Sequence, residues 1–565
     1  MRLGCQPCAF FNGINVLCRI KLYAPGSQGV PVRARWDVWV GTRSTDLPSV
    51  SVIIPQGYGV QMDLKTEVLI VGGGATGTGI SRDLALRGIP SILIEKGDLA
   101  SGASGRNHGL FHSGGRYAVS DPEAARECIT ENSILRKIAP HCIEETNGFF
   151  VSLPEDGLDF RDKFLRACER VGIQTTLLTQ DEALASEPEL NPNLLSAVKV
   201  PDGGIDPFTL VLENAKDAEL HGAKILLHTG ITSLVLDGDR VTGAKIKDLI
   251  RGEECTIKAS YVVNATGAWA NQVLKLAGLR IGMALSKGSM LITNTRLNRG
   301  VINRCRPPSD ADIVVPNDTV SILGTTSIRL EDVEHFEVTP DEVSLLVHEA
   351  SKMIPAIQET RFIRAYAGIR PLFLSEEKGD DRAISRGFVL IDHAKRGGIQ
   401  NLITITGGKL VTYRLMAEKT SNLVCQKMGR DTPCSTHLNP LPGASRPAGL
   451  KERLKQFSAA RRETLCDCEL VPRKEVEELL GVEKLRDFQD ILHRTRLAKG
   501  TCQGGFCVYR LLGVLHDLRM LQGDSNNILK GFLEERWKGI RPILWGGAVK
   551  EEELIEYIYK GIFNL

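Results

Sequence analysis

Two short apolar runs separated by an amphipathic stretch predict a βαβ unit between residues 66 and 96. The β-branched run Val68–Val71 is typical of a buried parallel strand. Residues Ala75–Arg87 have the composition of a helix, and a glycine follows them directly. The second apolar run, Ser91–Ile94, predicts another strand, with Glu95 immediately after its end. The apolar pattern therefore predicts strand, helix and strand in immediate succession.

The turn between the first strand and the helix carries the spacing G-x-G-x-x-G. Gly72 would allow the tight turn, Gly74 would let a pyrophosphate approach the backbone, and Gly77 would let the helix pack closely on the strand. The helix N-terminus offers unpaired N–H groups and a positive dipole end to such an anion. Glu95 stands 23 positions after Gly72, where an acid can bind ribose hydroxyls. We expect a dinucleotide site; the alternative is a glycine-rich turn in another kind of α/β protein.

Two further stretches are candidates for the same pocket. Small and polar residues dominate 97–119, directly after the acidic strand end, and predict a loop around the phosphates and ring of the cofactor. An exposed surface loop is the alternative interpretation. The apolar run near residue 260 leads into Ala-Thr-Gly, and small residues at a strand end permit close approach of a dinucleotide. The predicted cofactor contacts are Ser101, Ser104 and Arg106 in the loop, and Ala265, Thr266 and Gly267 at the strand end.

Composition narrows the class of protein. A chain of 565 residues is too long for one core, and two to four domains are expected. The 70 basic and 68 acidic residues nearly cancel, which gives no indication of nucleic-acid binding. We find no uninterrupted apolar run long enough for a transmembrane helix, so any membrane contact is expected to be peripheral. Fourteen cysteines, scattered except for one group near the end, suit a reducing cytoplasm.

Residues 1–61 differ from the rest of the chain. They contain six basic and two acidic residues, with no sustained hydrophobic period. Met62 directly precedes the predicted dinucleotide strand. We interpret 1–61 as an extension from an over-extended start codon; a mitochondrial presequence is the alternative, and a secretory signal is not evident.

The composition changes again beyond residue 440. Residues 440–449 read as a linker, and charged amphipathic helices follow. Two cysteine pairs lie among them, Cys466 with Cys468, and Cys502 with Cys507. Four thiolates in two close pairs predict a metal site. The one-residue spacing of the first pair is atypical of zinc, so ligation of a [2Fe–2S] cluster fits better, with zinc or free cysteines as alternatives.

The last segment, 521–565, is rich in aromatic residues, which belong either to a core or to a docking face for a partner subunit. They are Trp537, Trp545, Tyr557, Tyr559 and Phe563.

Several segments together resemble the family of FAD-dependent glycerol-3-phosphate dehydrogenases. They are ASGASGRNHGLFHSGGRYAV, VVNATGAWA, LSKGSM, LGTTS, RAYAGIRPLF, AISRGFVLIDH and ITGGKLVTYRLMAE, in family order across residues 62–418. The tail resembles the large FAD subunit of the anaerobic branch, with a domain similar to bacterioferritin-associated ferredoxin at 450–520.

The resemblance assigns roles to residues that suit the implied substrate, glycerol 3-phosphate. Arg370, Arg386 and Lys409 match substrate-binding positions, and arginine forks suit a phosphate. His112 matches the position of the base that removes the hydroxyl proton, with a core histidine as the alternative. Arg370 or Lys409 would share the proton or stabilise the developing alkoxide. Gly408 and Thr412, at the start of a helix, are predicted contacts of the flavin ring.

Taken together, these observations predict an α/β fold with a glutathione-reductase-like FAD domain. A substrate domain is interleaved with it to give one dehydrogenase unit over 62–439, and a helical [2Fe–2S] domain follows. The resemblance implies non-covalent FAD, and electrons passing through the cluster and partner subunits to a membrane quinone, on the cytoplasmic face. The rival functions are a related FAD dehydrogenase acting on an amino or hydroxy acid, and a flavin- or tRNA-binding scaffold subunit without catalysis.

Overall fold

The structure is a computed structural model of the chain. It describes residues 19–21, 35–37, 64–374, 387–446, 453–455, 463–483, 485–521 and 523–565. The chain divides into two units, Met1–Ser49 and Val50–Leu565. In the first unit, strands β1 (Arg19–Lys21) and β2 (Arg35–Asp37) pair antiparallel. The rest of the predicted extension 1–61 lies outside the described residues.

The second unit contains both strands and helices. Its strands, numbered along the chain, are β3 (Leu64–Val71), β4 (Ser91–Ile94), β5 (Leu110–Phe111), β6 (Ile143–Glu144), β7 (Gly148–Ser152), β8 (Thr176–Leu178), β9 (Ser196–Val200), β10 (Gly203–Ile205), β11 (Lys224–Leu226), β12 (Thr229–Asp237), β13 (Arg240–Asp248), β14 (Glu254–Asn264), β15 (Met283–Thr293), β16 (Val301–Arg304), β17 (Ile313–Asn317), β18 (Val320–Gly324), β19 (Ile328–Leu330), β20 (Phe362–Phe373), β21 (Phe388–Asp392), β22 (Leu402–Gly407), β23 (Thr464–Cys466) and β24 (Val471–Pro472). Its α-helices are α1 (Ala75–Leu86), α2 (Pro122–Ile138), α3 (Asp159–Val171), α4 (Gln180–Ser186), α5 (Pro207–Leu220), α6 (Ala270–Lys275), α7 (Pro340–Met353), α8 (His393–Arg396), α9 (Tyr413–Met428), α10 (Arg473–Val482), α11 (Phe488–Arg494), α12 (Cys507–Asp517), α13 (Ser525–Ile540) and α14 (Gly547–Glu556).

The first large sheet contains the predicted βαβ unit. Parallel strands lie in the order β11, β4, β3, β14 and β22, with antiparallel β21 at the far edge. The first half of β14 also pairs with β13, which pairs with β12, so an antiparallel meander extends from the same strand. Helix α1 packs against α5 and α9. Because the parallel strands end at one edge, the residues that follow them meet there.

The second large sheet is mostly antiparallel. Its central strand β15 pairs with β18, β19 and β20, and the sheet continues through β17, β16, β7 and β9 to β8. Ser286 of β15 lies opposite Arg370 of β20 in the register, and Met290 lies opposite Gly324 of β18. This pairing places one predicted substrate cation, Arg370, beside the loop that follows β18. Helix α7 packs against β15 and β18, which closes the core of this sheet.

The C-terminal part is helical. Strands β23 and β24 form a short hairpin, and helices α10 to α14 surround one apolar core that includes Cys466 and Cys507. Phe532 and Tyr559 of the segment 521–565 belong to that core, whereas Trp537, Trp545 and Tyr557 are exposed. The first part of the predicted linker packs on the α/β region, since Leu441 is buried and the Gly443 N–H donates to Glu213 at 2.6 Å. The rest of the linker lies outside the described residues.

The sequence prediction of an α/β fold is confirmed. Strand β4 has the predicted limits Ser91–Ile94, and α1 ends at Leu86, one residue before the predicted end. Strand β3 begins earlier than the apolar run suggested, at Leu64, because its first residues pair with β14 although their side chains are partly exposed.

Candidate functional site

A cavity of about 1030 Å³ lies at the carboxyl edge of the parallel strands, facing the second sheet. The residues that line it include the glycine turn and Glu95, much of the stretch 97–121, the strand end Ala265–Trp269, and the segment after β18 together with Arg370 and Gly407–Val411. Most of the sequence-predicted site residues therefore face one space. Gly77 and Thr412 do not line the cavity. Gly77 packs against the Gly72 carbonyl, and the Thr412 hydroxyl bonds the Lys409 backbone.

The three glycines of the turn are required for different reasons. A Cβ at Gly77 would lie 1.9 Å from the Gly72 carbonyl oxygen, and Gly72 itself has φ +115°. Both glycines are therefore fixed by the fold. At Gly74, by contrast, a Cβ would lie 3.0 Å from the Ser104 hydroxyl and otherwise meet only the cavity. Gly74 thus leaves open the space that a ligand would fill.

Ser104 changes the expected picture of unpaired N–H groups at the helix start. Its hydroxyl accepts the Ala75 N–H at 2.9 Å, so one donor of the first turn is already bonded within the protein. This bond ties the loop 97–109 to the N-terminus of α1. Ser101 and Arg106 also line the cavity, and Arg106 is exposed to it.

Glu95 is held in place by backbone donors on both oxygens. The Gly73 N–H donates to one carboxylate oxygen at 2.7 Å and the Gly97 N–H donates to the other at 2.9 Å. A carboxylate accepts more than one hydrogen bond per oxygen, so hydroxyl groups of a ligand can bind as well. The fixed orientation favours recognition of a ribose at the tip of β4.

The strand end at Ala265–Gly267 packs on the glycine turn. The Ala265 N–H donates to the Val71 carbonyl at 2.9 Å, and the Thr406 hydroxyl donates to the Gly267 carbonyl at 3.2 Å. At the neighbouring strand end, after β22, Gly408 has φ +72° and its N–H donates to the Gly387 carbonyl at 3.0 Å. The Thr412 hydroxyl oxygen accepts the Lys409 N–H at 3.1 Å. These bonds fix the backbone around the mouth of the cavity.

Two of the predicted substrate cations are in the cavity wall. Arg370 donates to the Thr326 carbonyl at 3.2 Å and also to the Thr325 hydroxyl. A Cβ at Gly288 would lie 2.3 Å from the guanidinium, so this glycine gives Arg370 its room. The Lys409 ammonium lies 4.6 Å from the centre of the Tyr117 ring. The third predicted cation, Arg386, lies outside the described residues.

His112 is buried in the wall beneath these cations. Its Nδ1 has no hydrogen-bond partner among the described residues, and its ring centre lies 5.1 Å from that of Tyr117. Burial lowers the pKa of His112 well below its ordinary value, and the neighbouring His108, Arg116 and Lys409 lower it further. The imidazole is therefore neutral at pH 7, so one ring nitrogen carries a lone pair.

Sequence reasoning placed His108 only in the cofactor loop 97–119 and assigned no role to Glu342. His108 lines the cavity, and Leu110 donates its N–H to His108 Nδ1 at 3.1 Å. Glu342 on α7 accepts hydrogen bonds from Lys287 at 2.8 Å and from the Thr326 hydroxyl at 2.9 Å. It is buried and stands behind the loop that holds Arg370. The segments LSKGSM and LGTTS contain these partners and were the only sequence signal for them.

The four predicted metal-ligating cysteines come together at one end of the helical part. The sulfurs of Cys468 and Cys502 are 3.7 Å apart, and hydrogen bonding with the Cys466 and Cys502 side chains lowers the pKa of Cys468. The Cys466 thiol also lies within hydrogen-bonding reach of Cys507. Across the described part of the chain, no group of three or more His, Cys, Asp or Glu side chains is arranged as metal ligands. The structure thus brings the cysteines together without itself showing a metal centre.

The cysteine loop contacts the cavity region through strand β20. Arg364 donates to the Gln503 side chain at 3.4 Å, next to Cys502, and the Tyr366 hydroxyl donates to the Asn107 carbonyl at 2.8 Å. Ion pairs join the same two parts elsewhere, including Arg486 with Asp248 at 2.8 Å. Within the described ranges, no helix combines the length and the apolar character needed to cross a bilayer.

Comparison with known proteins identifies the family of the chain. The family model described as FAD dependent oxidoreductase matches residues 67–414. The chain is 46% identical over 527 residues to an anaerobic glycerol-3-phosphate dehydrogenase subunit of Escherichia coli (strain K12), and the match covers 89% of this chain and 97% of that protein. It is 40% identical over 540 residues to an anaerobic glycerol-3-phosphate dehydrogenase subunit of Haloferax volcanii, covering 89% and 91%.

Solved structures share the fold at low sequence identity. The glycerol-3-phosphate dehydrogenase from Bacillus halodurans, solved in complex with FAD, superposes with a TM-score of 0.59 at 21% identity, covering 85% of this chain and 96% of that chain. Glycine oxidase from Geobacillus kaustophilus superposes with a TM-score of 0.54 at 22% identity, covering 68% and 100%.

Proposed function

The chain belongs to the FAD dependent oxidoreductase family, and on that premise we propose that it oxidises sn-glycerol 3-phosphate to dihydroxyacetone phosphate. The names of its curated relatives from Escherichia coli and Haloferax volcanii support this substrate. The observation that carries the proposal is the pairing, in one cavity, of cationic side chains with a buried neutral histidine. The cations suit a phosphate group, and the histidine suits removal of a hydroxyl proton.

The residues around the cavity fit non-covalent FAD. The space in front of Gly74 suits the pyrophosphate, and the doubly anchored Glu95 suits the adenosine ribose. Ser101, Ser104 and Arg106 would contact the phosphates from the loop, and Ala265–Gly267 would flank the dinucleotide at the strand end. Gly408 and the segment up to Thr412 would hold the flavin ring.

In the proposed reaction, Arg370 and Lys409 bind the substrate phosphate and place C2 beside the flavin, with Arg386 assigned to the same role. His112 accepts the proton of the C2 hydroxyl at a ring nitrogen as the C2–H bond breaks. FAD, when bound, accepts the hydride, so the substrate loses two electrons and two protons in all. Lys409 is close enough to the ring pair of His112 and Tyr117 to stabilise negative charge developing on the C2 oxygen.

The second part of the proposal concerns electron delivery. Cys466, Cys468, Cys502 and Cys507 fit the ligand set of a [2Fe–2S] cluster, since backbone N–H groups of Glu469, Ala498 and Phe506 point at their sulfurs. When bound, such a cluster exchanges single electrons. We assign the onward acceptors to partner subunits and a membrane quinone, and we assign the chain, held by those subunits, to the cytoplasmic face of the membrane.

The domain boundaries belong to the same proposal. Residues 62–439 would form the dehydrogenase unit, 440–449 the linker, 450–520 the cluster domain and 521–565 a segment with an outward docking face. The exposed Trp537, Trp545 and Tyr557 support such a face. Residues 1–61 would be an extension, with Met62 as the functional start.

A substrate panel tests the proposed reaction. The purified flavin-loaded chain is mixed anaerobically with glycerol 3-phosphate, glycerol, lactate or glycine, and bleaching of the flavin absorbance is followed by stopped flow. We expect rapid bleaching with glycerol 3-phosphate alone. Bleaching by an amino or hydroxy acid instead would identify the related dehydrogenase, and no bleaching by any of them would indicate a binding subunit.

A further inference from the structure

His108 is the partly buried histidine that the proposed reaction leaves without a role. It lies four residues before His112 and two before the short strand β5, and it lines the same cavity. Its Cδ2 lies beside the last residue of β18, because a Cβ at Gly324 would lie 3.6 Å from that atom. The next residues, Thr325 and Thr326, are the ones that hold Arg370. His108 is therefore on the Arg370 side of the cavity.

The hydrogen bond from Leu110 fixes which nitrogen of His108 carries the proton. A main-chain N–H can only donate, so Nδ1, at 3.1 Å from the Leu110 nitrogen, must accept. In the neutral ring the proton is then on Nε2. Protonation of Nδ1 as well would bring two hydrogens face to face and break this bond. Consistently, burial, with help from Arg370 and Arg116, lowers the pKa of His108 to about 3.

Nε2 is the atom left to act in the cavity. Among the described residues it makes no hydrogen bond, and it is not one of the sealed-off buried nitrogens, in contrast to Nδ1 of His112. His108 therefore presents an N–H to the cavity. In His112, by contrast, the sealed Nδ1 leaves Nε2 as the nitrogen that can reach a substrate.

We propose that His108 is a substrate-binding residue whose Nε2–H donates a hydrogen bond to a phosphate oxygen of the substrate beside Arg370. The inference rests on the proposed function, because it names a contact to the phosphate of glycerol 3-phosphate. A neutral donor adds hydrogen bonding without adding a further positive charge next to Arg370 and Arg116. A positively charged donor at this place would repel Arg370 and Arg116 when no substrate is bound, and a neutral donor does not.

Two substitutions separate the hydrogen bond from the shape of the side chain. His108→Met keeps an apolar body of similar length and removes the donor. His108→Gln places an amide N–H near the position of Nε2. Because a hydrogen bond to a charged group is lost, we expect His108→Met to raise KM for glycerol 3-phosphate roughly 10-fold or more. The much slower reaction with glycerol, which lacks the phosphate, should not change, and His108→Gln should recover most of the loss.

A second measurement follows the ring directly and does not depend on turnover. In the FAD-loaded protein labelled with ¹⁵N at its histidines, His108 should show the Nε2–H tautomer. It should not titrate across the range where an ordinary histidine does, about pH 5.5 to 7.5. Among the described residues, the charged or titratable groups that act on it are Arg370, Arg116 and His112, and none of the three is acidic.

The outcomes are distinguishable from failure of the proposed function. If the unsubstituted protein does not reduce its flavin with glycerol 3-phosphate, the proposed function fails and this contact fails with it. If it does, and His108→Met leaves KM unchanged, the contact alone is wrong. The contact is equally refuted if glycerol turnover falls by the same factor, if His108→Gln gives no recovery, or if the ring titrates near pH 6.5.

Discussion

Replacing Arg370 with alanine is the most direct test of phosphate binding. The guanidinium is oriented by the Thr326 carbonyl at 3.2 Å and the Thr325 hydroxyl, and Gly288 leaves the space it occupies. It is partly buried at the wall of the cavity rather than free in solvent. A guanidinium held in this way can bind an anion without first losing rotamer freedom.

The expected magnitude follows from the kind of hydrogen bond that is lost. One charge-assisted bond contributes roughly 1.5–3 kcal/mol, so kcat/KM for glycerol 3-phosphate should fall about 10- to 150-fold. Arg370→Lys keeps the charge but loses the planar fork, and its kcat/KM should lie between those of the alanine variant and the unsubstituted protein.

The assay compares, for each protein, a substrate that has the phosphate with one that lacks it. The rate of flavin bleaching is measured with glycerol 3-phosphate and with glycerol, and flavin content and melting temperature are matched first. Arg370→Ala should reduce the advantage of the phosphorylated substrate and leave the slow reaction with glycerol as it was. Arg240→Ala, on an exposed strand end outside the cavity, serves as the matched arginine control. An equal loss with both substrates would refute the assignment, because Arg370 would then support the site without touching the phosphate.

Three further predictions concern the cofactor, the base and the cysteines. Gly74→Val should abolish FAD binding, since the valine side chain would enter the space in front of the turn, whereas the control Gly481→Val on a surface helix should bind FAD normally. Acid precipitation of the unsubstituted protein should leave the yellow flavin in the supernatant, because the FAD is expected to be non-covalent. Because burial lowers the pKa of His112, the base remains neutral as the pH falls, and the acid limb of kcat at saturating substrate should lie below pH 6.5; a limb at or above that value would contradict the assignment. Cys502→Ser should remove iron from the protein, measured by metal analysis, yet leave bleaching of the flavin by substrate intact; full iron content would show that the cysteine is not a ligand.

The sequence was informative wherever function depends on residues close together in the chain. The turn at Gly72 and the acid at Glu95 belong to one local unit whose period and spacing determine its structure. Their positions at the cavity follow from the pairing of β3 with β4. One feature of the turn differed from the expectation: the Ala75 N–H at the start of α1 is not unpaired but donates to the Ser104 hydroxyl. Ser104 comes from a loop whose path a spacing pattern does not specify.

Residues that act across the two sheets were not predictable in this way. Glu342 reaches Thr326 and Lys287 only because α7 packs behind β15 and β18. The proton position on His108 depends on one backbone N–H at a defined distance, and a sequence motif carries no distance. The docking of the cysteine loop on β20 likewise arises from tertiary packing between segments more than a hundred residues apart.

Strand β20 explains how these separate parts keep a fixed geometry. Side chains two residues apart along a strand point to the same side, so Arg364, Tyr366, Gly368 and Arg370 share one face. Arg364 contacts the cysteine loop at Gln503, and Tyr366 contacts the cofactor loop at the Asn107 carbonyl. Gly368 packs on the backbone of Arg106, and Arg370 binds the Thr326 carbonyl after β18. The third position must be glycine, because a Cβ there would lie 2.0 Å from the Arg106 carbonyl oxygen. One rigid strand, pinned along its length by β15, therefore sets the spacing between the cysteines, the cofactor loop and the substrate cation, and no flexible linker has to bring them together.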